Sequence, residues 1–291
     1  MLAGPRAQAL PLLKVAAAST EGQAEGYYAE DLGLFKQHGL NVEMHRLTSA
    51  ITIGPAIAAG DLQIGVGNVL ALGQAHAHNI PFVIIALGGI HDWRFPTGAM
   101  VVPTRSALTS PKELGGKTIA VATINGLDQL AADALIDQSG GDLASVKFVE
   151  IPPPSIPDAL AQGRIDAALL QEPALSAAGG LVRSIGNAED AIARVSVQTA
   201  WYAQRAWLDA NKDTARRFAD AIYAAGRWAM ANPERAALVL DKYLGIKEPR
   251  AFGRFATKPD IAEIQVVLDV GAKYKLVPQV KAAEFVWDGK S

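Results

Sequence analysis

The chain has no cysteine among its 291 residues. That absence excludes disulfides, thiolate metal sites, thiol nucleophiles and the lipidated cysteine of a lipoprotein. No stretch approaches the roughly 20 apolar residues needed for a bilayer-spanning helix, so no membrane insertion is expected. Charge is sparse, at 19% of residues with a formal balance of −2. No run of Lys or Arg offers the local attraction that phosphate backbones require, and nucleic acid is not an expected partner. The histidines do not replace the missing thiolates: His76 and His78 sit at i and i+2 of a predicted helix and diverge, whereas helical ligand pairs favour i+3 or i+4. No metal site is expected. Gly-x-Ser-x-Gly, phosphate-loop and zinc-protease signatures are missing, and Gly65-Val66-Gly67-Asn68 is too short for a dinucleotide fingerprint. No cofactor is expected either.

What is present is apolar and repeated. Half of the residues are hydrophobic, enough for a substantial core and about two lobes of ordinary domain size. Ala56-Ile57-Ala58-Ala59-Gly60-Asp61-Leu62-Gln63 recurs as Ala159-Leu160-Ala161-Gln162-Gly163-Arg164-Ile165-Asp166. Ala18-Ser19-Thr20-Glu21-Gly22 is paralleled, at nearly the same separation, by Ala122-Thr123-Ile124-Asn125-Gly126. A helix end, a Gly turn and a strand start have each been used twice. The expected fold class is therefore α/β, with two similar lobes, each a doubly wound sheet with ligands at the carboxyl ends of its strands.

The periodicity predicts strands at 12–18, 41–47, 62–65 and 82–87, with helices at 27–38, 51–59 and from Asn68 to about Ala77. Residues 99–103 read as a strand leaving the first lobe. Ser110-Pro111-Lys112-Glu113 follows with a capping-box pattern and Pro at the first helical position. Strands at 118–121, 146–151 and 165–170 and helices at 127–139 and 156–162 build the second lobe, and 193–199 is the expected return crossing. Beyond Trp207 the chain reads as helical, with Phe218, Ile222, Ala225 and Ala229 on one stripe and Ile264, Val267, Leu268 and Gly271 on another. Ala7-Gln8-Ala9 has the pattern of a signal-peptidase site behind a segment too short for an apolar export core. The stump of a removed signal peptide and a plain N-terminus are both open readings.

In order and spacing, several segments carry a resemblance. They are Tyr28-Ala29-Glu30-Asp31-Leu32-Gly33-Leu34-Phe35 with Gly39-Leu40, Ala58-Ala59-Gly60-Asp61, Leu114-Gly115-Gly116-Lys117-Thr118-Ile119-Ala120-Val121, and Gly163-Arg164-Ile165-Asp166-Ala167 through Glu172-Pro173. The chain resembles the type II periplasmic solute-binding proteins of ABC importers, in particular the nitrate, sulfonate and taurine binders and the related pyrimidine-precursor binders. The resemblance implies a two-lobed fold with a two-segment hinge, lobe 1 being residues 13–103 plus 199–291 and lobe 2 residues 104–198. It implies a monomeric, periplasmic receptor that closes on a small organic anion, a sulfonate or a carboxylate and possibly an aromatic one. Its partners would be an ABC permease and the ATPase of that importer, and it would perform no bond chemistry. The alternative is an enzyme of the same fold acting on a pyrimidine or menaquinone precursor, although the pyrimidine synthases carry a cysteine-rich motif that this chain lacks. A sensory module is a third reading.

The candidate ligand-binding residues follow from the strand ends. In lobe 1 they are Ser19, Thr20 and Glu21, then Thr48 and Ser49, then Asn68. In lobe 2 the resemblance aligns Thr123 and Asn125 with Ser19 and Glu21, and Gln171 and Glu172 follow the strand matching 62–66. Helix N-termini supply N–H donors to an anion; the ordinary alternative is that these residues cap their own helices. Glu172 would repel an anion and can instead meet a cationic or N–H group. Arg94, in the loop His91-Asp92-Trp93-Arg94, can pair bidentately with a carboxylate or sulfonate, or simply pair with Asp92. Trp201, beside Tyr202, offers a ring for stacking or for core packing.

Overall fold

The computed structural model describes residues 10–47, 52–245 and 253–290. In chain order, the first part comprises β1 (Leu12–Ala18), α1 (Glu25–Asp31), α2 (Leu34–Gln37), β2 (Asn41–Leu47), α3 (Ile53–Ala59), β3 (Ile64–Asn68), α4 (Val69–Ala77), β4 (Phe82–Leu87) and β5 (Gly89–Asp92). Then follow β6 (Gly98–Pro103), β7 (Thr118–Val121), α5 (Leu127–Gln138), β8 (Lys147–Glu150), α6 (Ile156–Ala161), β9 (Ala167–Gln171), α7 (Ala174–Ala178) and β10 (Val182–Gly186). The chain ends through β11 (Val195–Val197), β12 (Thr199–Gln204), α8 (Arg205–Ala210), α9 (Lys212–Ala231), α10 (Pro233–Leu244), β13 (Arg254–Phe255) and α11 (Ile261–Lys273).

The sequence repeat is a repeat of topology. One sheet runs β2-β1-β3-β12-β4 and the other, read from its far edge, β8-β7-β9-β6-β10. In each, the first three strands are parallel and the fourth and fifth pair antiparallel. Even the registers correspond: Val15 pairs with Ile64 in one sheet, Ile119 with Ala167 in the other. Parallel strands covered by helices on both faces must be apolar nearly throughout, and Val15 to Ala18 and Ile119 to Val121 are accordingly buried.

The antiparallel strand of each sheet is the one reached just after the chain crosses between them. β6 follows the crossing strand β5 into the second sheet, and β12 follows β11 back into the first. β5 and β11 pair antiparallel, Ser196 opposite His91, with β13 on the other side of β5. β6 is thus hydrogen-bonded in the second sheet, although the expected boundary at residue 103 leaves it with the first lobe.

Helix packing follows the expected stripes. Phe218, Ile222, Ala225 and Ala229 of α9 and Ile264, Val267, Leu268 and Gly271 of α11 are all buried. α11 crosses α4 so closely that a Cβ on Gly73 would lie 2.4 Å from Leu268. The single helix expected over 27–38 is two helices, because Gly33 takes a left-handed conformation at φ +68 and breaks the run. Ser110 and Glu113 form the expected capping box, around a 3-10 turn rather than an α-helix. Among the described residues no helix is long and apolar enough to cross a membrane.

Candidate functional site

Parallel pairing places the carboxyl ends of β1 and β3 side by side, so the Ser19–Gly22 turn and Asn68 share one edge of the first sheet. The same rule puts the Thr123–Gly126 turn beside Gln171 on one edge of the second. Two observations join these edges. Gln74 of α4 donates to the backbone carbonyl of Asn125 at 2.9 Å, and the Glu172 charge acts on Glu21. Ser19, Thr20, Thr123 and Asn125 are exposed there. Thr48 and Ser49 lie outside the described residues.

The donors that an anion would use are largely engaged already. Ser19 N–H bonds Leu47 and Thr20 N–H bonds Ala18. Ile124 N–H bonds the Glu150 carboxylate at 3.0 Å and Asn125 N–H the Gln129 side chain at 2.8 Å. Asn68 caps its own helix, accepting from Ala71 N–H at 2.8 Å, which is the ordinary role of such a residue. Asn125 holds the turn in a left-handed conformation, φ 58, which Asn tolerates better than most residues.

Acceptors accumulate instead. Glu21 is buried and its carboxylate takes the backbone N–H of Gly253; burial, only partly offset by that bond and reinforced by Glu172, pushes its pKa to about 7. Glu25, the first residue of α1, is 1% exposed. Burial raises it to about 8, and among the described residues neither of its oxygens meets a donor of suitable geometry. Its own backbone N–H only offsets a little of the desolvation. On the second sheet's side, Gln171 Nε2 bridges Asp128 Oδ1 at 3.1 Å and Glu189 Oε1 at 3.3 Å. Both acids are raised by burial, to about 6 and about 7, and Asp128 adds to the rise of Glu189.

Two expected residues are committed elsewhere. Arg94 grips Asp92 in a bidentate pair, Nε to Oδ1 at 2.9 Å and Nη2 to Oδ2 at 2.6 Å. Trp201 lies within β12 with no exposed surface, its ring against Phe218 at 5.4 Å between centroids. Glu172 sits past the end of β9 and accepts from Ser176 N–H at 3.2 Å. Two surface hollows are lined by other residues, although Leu276 in the first of them accepts from the same Gln74 amide that bonds Asn125. One, of about 620 Å³, runs from Asp269 to Gln279, and the other, of about 170 Å³, lies between Gly60 and Trp207.

Sequence reasoning passed over Glu25, Asp128 and Glu189 as site residues. The signal for Glu25 was legible: a lone carboxylate in Ala24-Glu25-Gly26-Tyr27-Tyr28-Ala29 falls on the same helix face as Tyr28 and Ala29, the face that enters the core.

Comparison with known proteins places this architecture. The chain is 25% identical over 251 residues to the taurine-binding periplasmic protein of Escherichia coli (strain K12), covering 86% of this chain and 73% of that one. It shares 25% identity over 222 residues with a Brucella abortus (strain 2308) protein named as a binding protein, spanning 66% of its length. The fold is shared with the periplasmic aliphatic sulphonate binding protein of Escherichia coli, at TM-score 0.76, 17% identity and coverage of 96% and 93%. It is shared also with the alkanesulfonate-binding protein of Xanthomonas axonopodis pv. citri bound to MOPS, at 0.73, 18%, and 96% and 99%. A family model described as NMT1/THI5 like matches residues 22–236, and the chain belongs to that family.

Proposed function

We propose that this protein is the periplasmic substrate-binding component of an ABC import system, which takes a small organic solute between its two sheets and presents it to a permease and its ATPase. The observation that carries the reading is the facing of two topologically equivalent carboxyl edges, joined among the described residues by the paired crossing strands, by Gln74 of α4 and by the contacts of α11. Open α/β sheets bind ligands outside the carboxyl ends of their strands, and two such edges make one shared gap. The names of the relatives, taurine-binding and sulfonate-binding, support the same role and give an enzyme none.

The bodies that move are residues 13–92 with 199–290 and residues 98–194, hinged where β5 and β11 pair. The ligand's anionic end, a sulfonate or carboxylate, is met by the exposed hydroxyls of Ser19, Thr20 and Thr123. A ligand that prefers the closed state drives closure and stabilises the fold with the logarithm of its free concentration over Kd. Thermal melts against a panel of sulfonates, carboxylates, nitrate and pyrimidines, with mass analysis of any co-purified solute, test this. A clear upward shift with at least one member is expected. A flat response across the panel with no co-purified solute would remove the receptor reading.

A further inference from the structure

Helix α5 is shared between two cores. The repeated topology makes it the counterpart of α1, since β1 and β7 hold equivalent places in the two sheets and each leads through a turn into its helix. α1 is covered by the long helices α9 and α10 of its own lobe. Against α5 the second lobe sets the short 3-10 turn Glu189–Ala191, and α11 arrives from the first lobe. The side chains divide accordingly. Leu127, Leu130 and Ala131 belong to the first lobe's core, whereas Ala132 and Ile136 belong to the second's, and all five are buried. A Cβ on Gly271 of α11 would lie 2.8 Å from Leu70 of α4 and 3.9 Å from Leu130, so the three helices meet at close quarters.

Both ends of α5 are also tied to the first lobe. At the amino end Gln74 Nε2 donates to the carbonyls of Asn125 and Leu276, both at 2.9 Å. At the carboxyl end Asp137 accepts from Lys273 Nζ at 2.8 Å and from the Tyr274 hydroxyl at 2.7 Å. The next residue, Gln138, donates to the Ala191 carbonyl at 2.6 Å, just ahead of β11. The carboxyl end of α5 thus meets the root of the hinge, and α11 itself lies against β11. Lifting α5 off α4 and α11 would return Leu127, Leu130 and Ala131 to water, which the hydrophobic effect opposes; turning the second lobe about α5 leaves them covered. We propose that α5 stays seated on α4 and α11 whether the gap is open or shut, a second pivot beside the β5–β11 hinge. The second lobe then rolls about this helix, about 18 Å long, rather than swinging clear. The Thr123–Gly126 turn at its amino end keeps its place by the first sheet, and the gap opens on the side away from α5. The proposal rests on the receptor reading above only for the motion of the two bodies.

A chain without cysteine can be labelled at chosen pairs. Spin labels on Ser139→Cys and Ala262→Cys report α5 against α11, and labels on Lys36→Cys and Lys147→Cys report α2 against the edge strand β8. Both distances are read by pulsed electron paramagnetic resonance on the intact protein, alone and with 2-aminoethanesulfonate, ethanesulfonate, benzoate, nitrate and uracil in turn. The first distance is expected to be single, narrow and the same in every sample. The second should be broad without solute and narrow and shifted with a probe that binds. Joining Asp137→Cys to Lys273→Cys by a short bis-maleimide should leave the affinity and association rate of that probe unchanged. A first distance that splits or lengthens, a second as narrow and fixed as the first, or association slowed about tenfold or more by the bridge overturns the pivot and leaves the receptor reading in place. Binding of no probe, with no co-purified solute, removes the receptor reading instead. The solute-free distances then decide the pivot, a narrow first beside a broad second supporting it and any other pattern overturning it.

Discussion

The two facing edges are built on one topology yet treat their buried acids in opposite ways. On the second sheet's side Asp128 and Glu189 share the amide of Gln171, and Asp128 also takes the Ala122 N–H. On the first side, among the described residues, Glu25 has no such bridge, and the Tyr28 hydroxyl and Trp201 Nε1 are likewise without partners. Duplication fixes where strands end, not what is placed there. The second edge satisfies its own acids, while the first keeps buried polar atoms that no described residue satisfies.

The largest effect that probes this contrast is Trp201→Ala. If the ring is part of the first core, its loss costs about 3–5 kcal/mol in denaturant unfolding, as for other buried aromatics. Retained stability with lost solute binding would instead make Trp201 part of the gap. Next comes pH. Glu25 and Glu21 have folded values of about 8 and about 7, above the ordinary 4.5, so the folded state holds their protons more tightly than the unfolded chain does. Their contribution to stability is full below pH 4.5 and is lost as pH rises through the folded values. The solute-free protein should therefore melt higher at pH 5 than at pH 8, each acid contributing a slope of up to about 1.4 kcal/mol per pH unit. Glu25→Gln should flatten that curve, and a melt that is level or rises with pH would show that the first edge is not acid-loaded.

On the other edge, Gln171→Ala removes the bridge and leaves two acids facing one another, a loss of about 1–3 kcal/mol that grows with pH. An unchanged melt would erase the distinction between the edges. The smallest effect belongs to Arg94→Ala. Its guanidinium is occupied by Asp92 on an exposed loop, so solute affinity should stay within experimental error, and a large drop would restore it to charge recognition.

Most of the architecture was legible because it rests on periodicity and repetition. The apolar stripes of α9 and α11 and the doubled Gly60 and Gly163 turns are local patterns that the packing respects. The break at Gly33 and the sheet membership of β6 were less so, one depending on a single left-handed residue and the other on long-range pairing with β9. Of the candidate site, the placement of residues at the two carboxyl edges was legible and their engagement was not. Strand ends put Ser19, Thr20, Thr123 and Gln171 at the two carboxyl edges, but nothing in Asn68 or Arg94 says whether its side chain turns outward or back onto the chain; Ala71 and Asp92 decide that. Burial of Glu25 depends on Gly88 and Thr199, distant in sequence and close in space.

The place of β12, between β3 and β4, has a consequence for how the chain is made. β4 pairs along its length with β12 alone, so the earlier-emerging half of the first sheet cannot close while synthesis is still passing through β7 to β10. The second sheet, contiguous from β6 to β10, has all its strands out of the ribosome first. Assembly is therefore ordered from the middle of the chain outward. Long-range pairing of this kind is slow, which leaves β3 and β4, the two strands that wait for β12, as the segments most in need of protection from aggregation before export or refolding is complete.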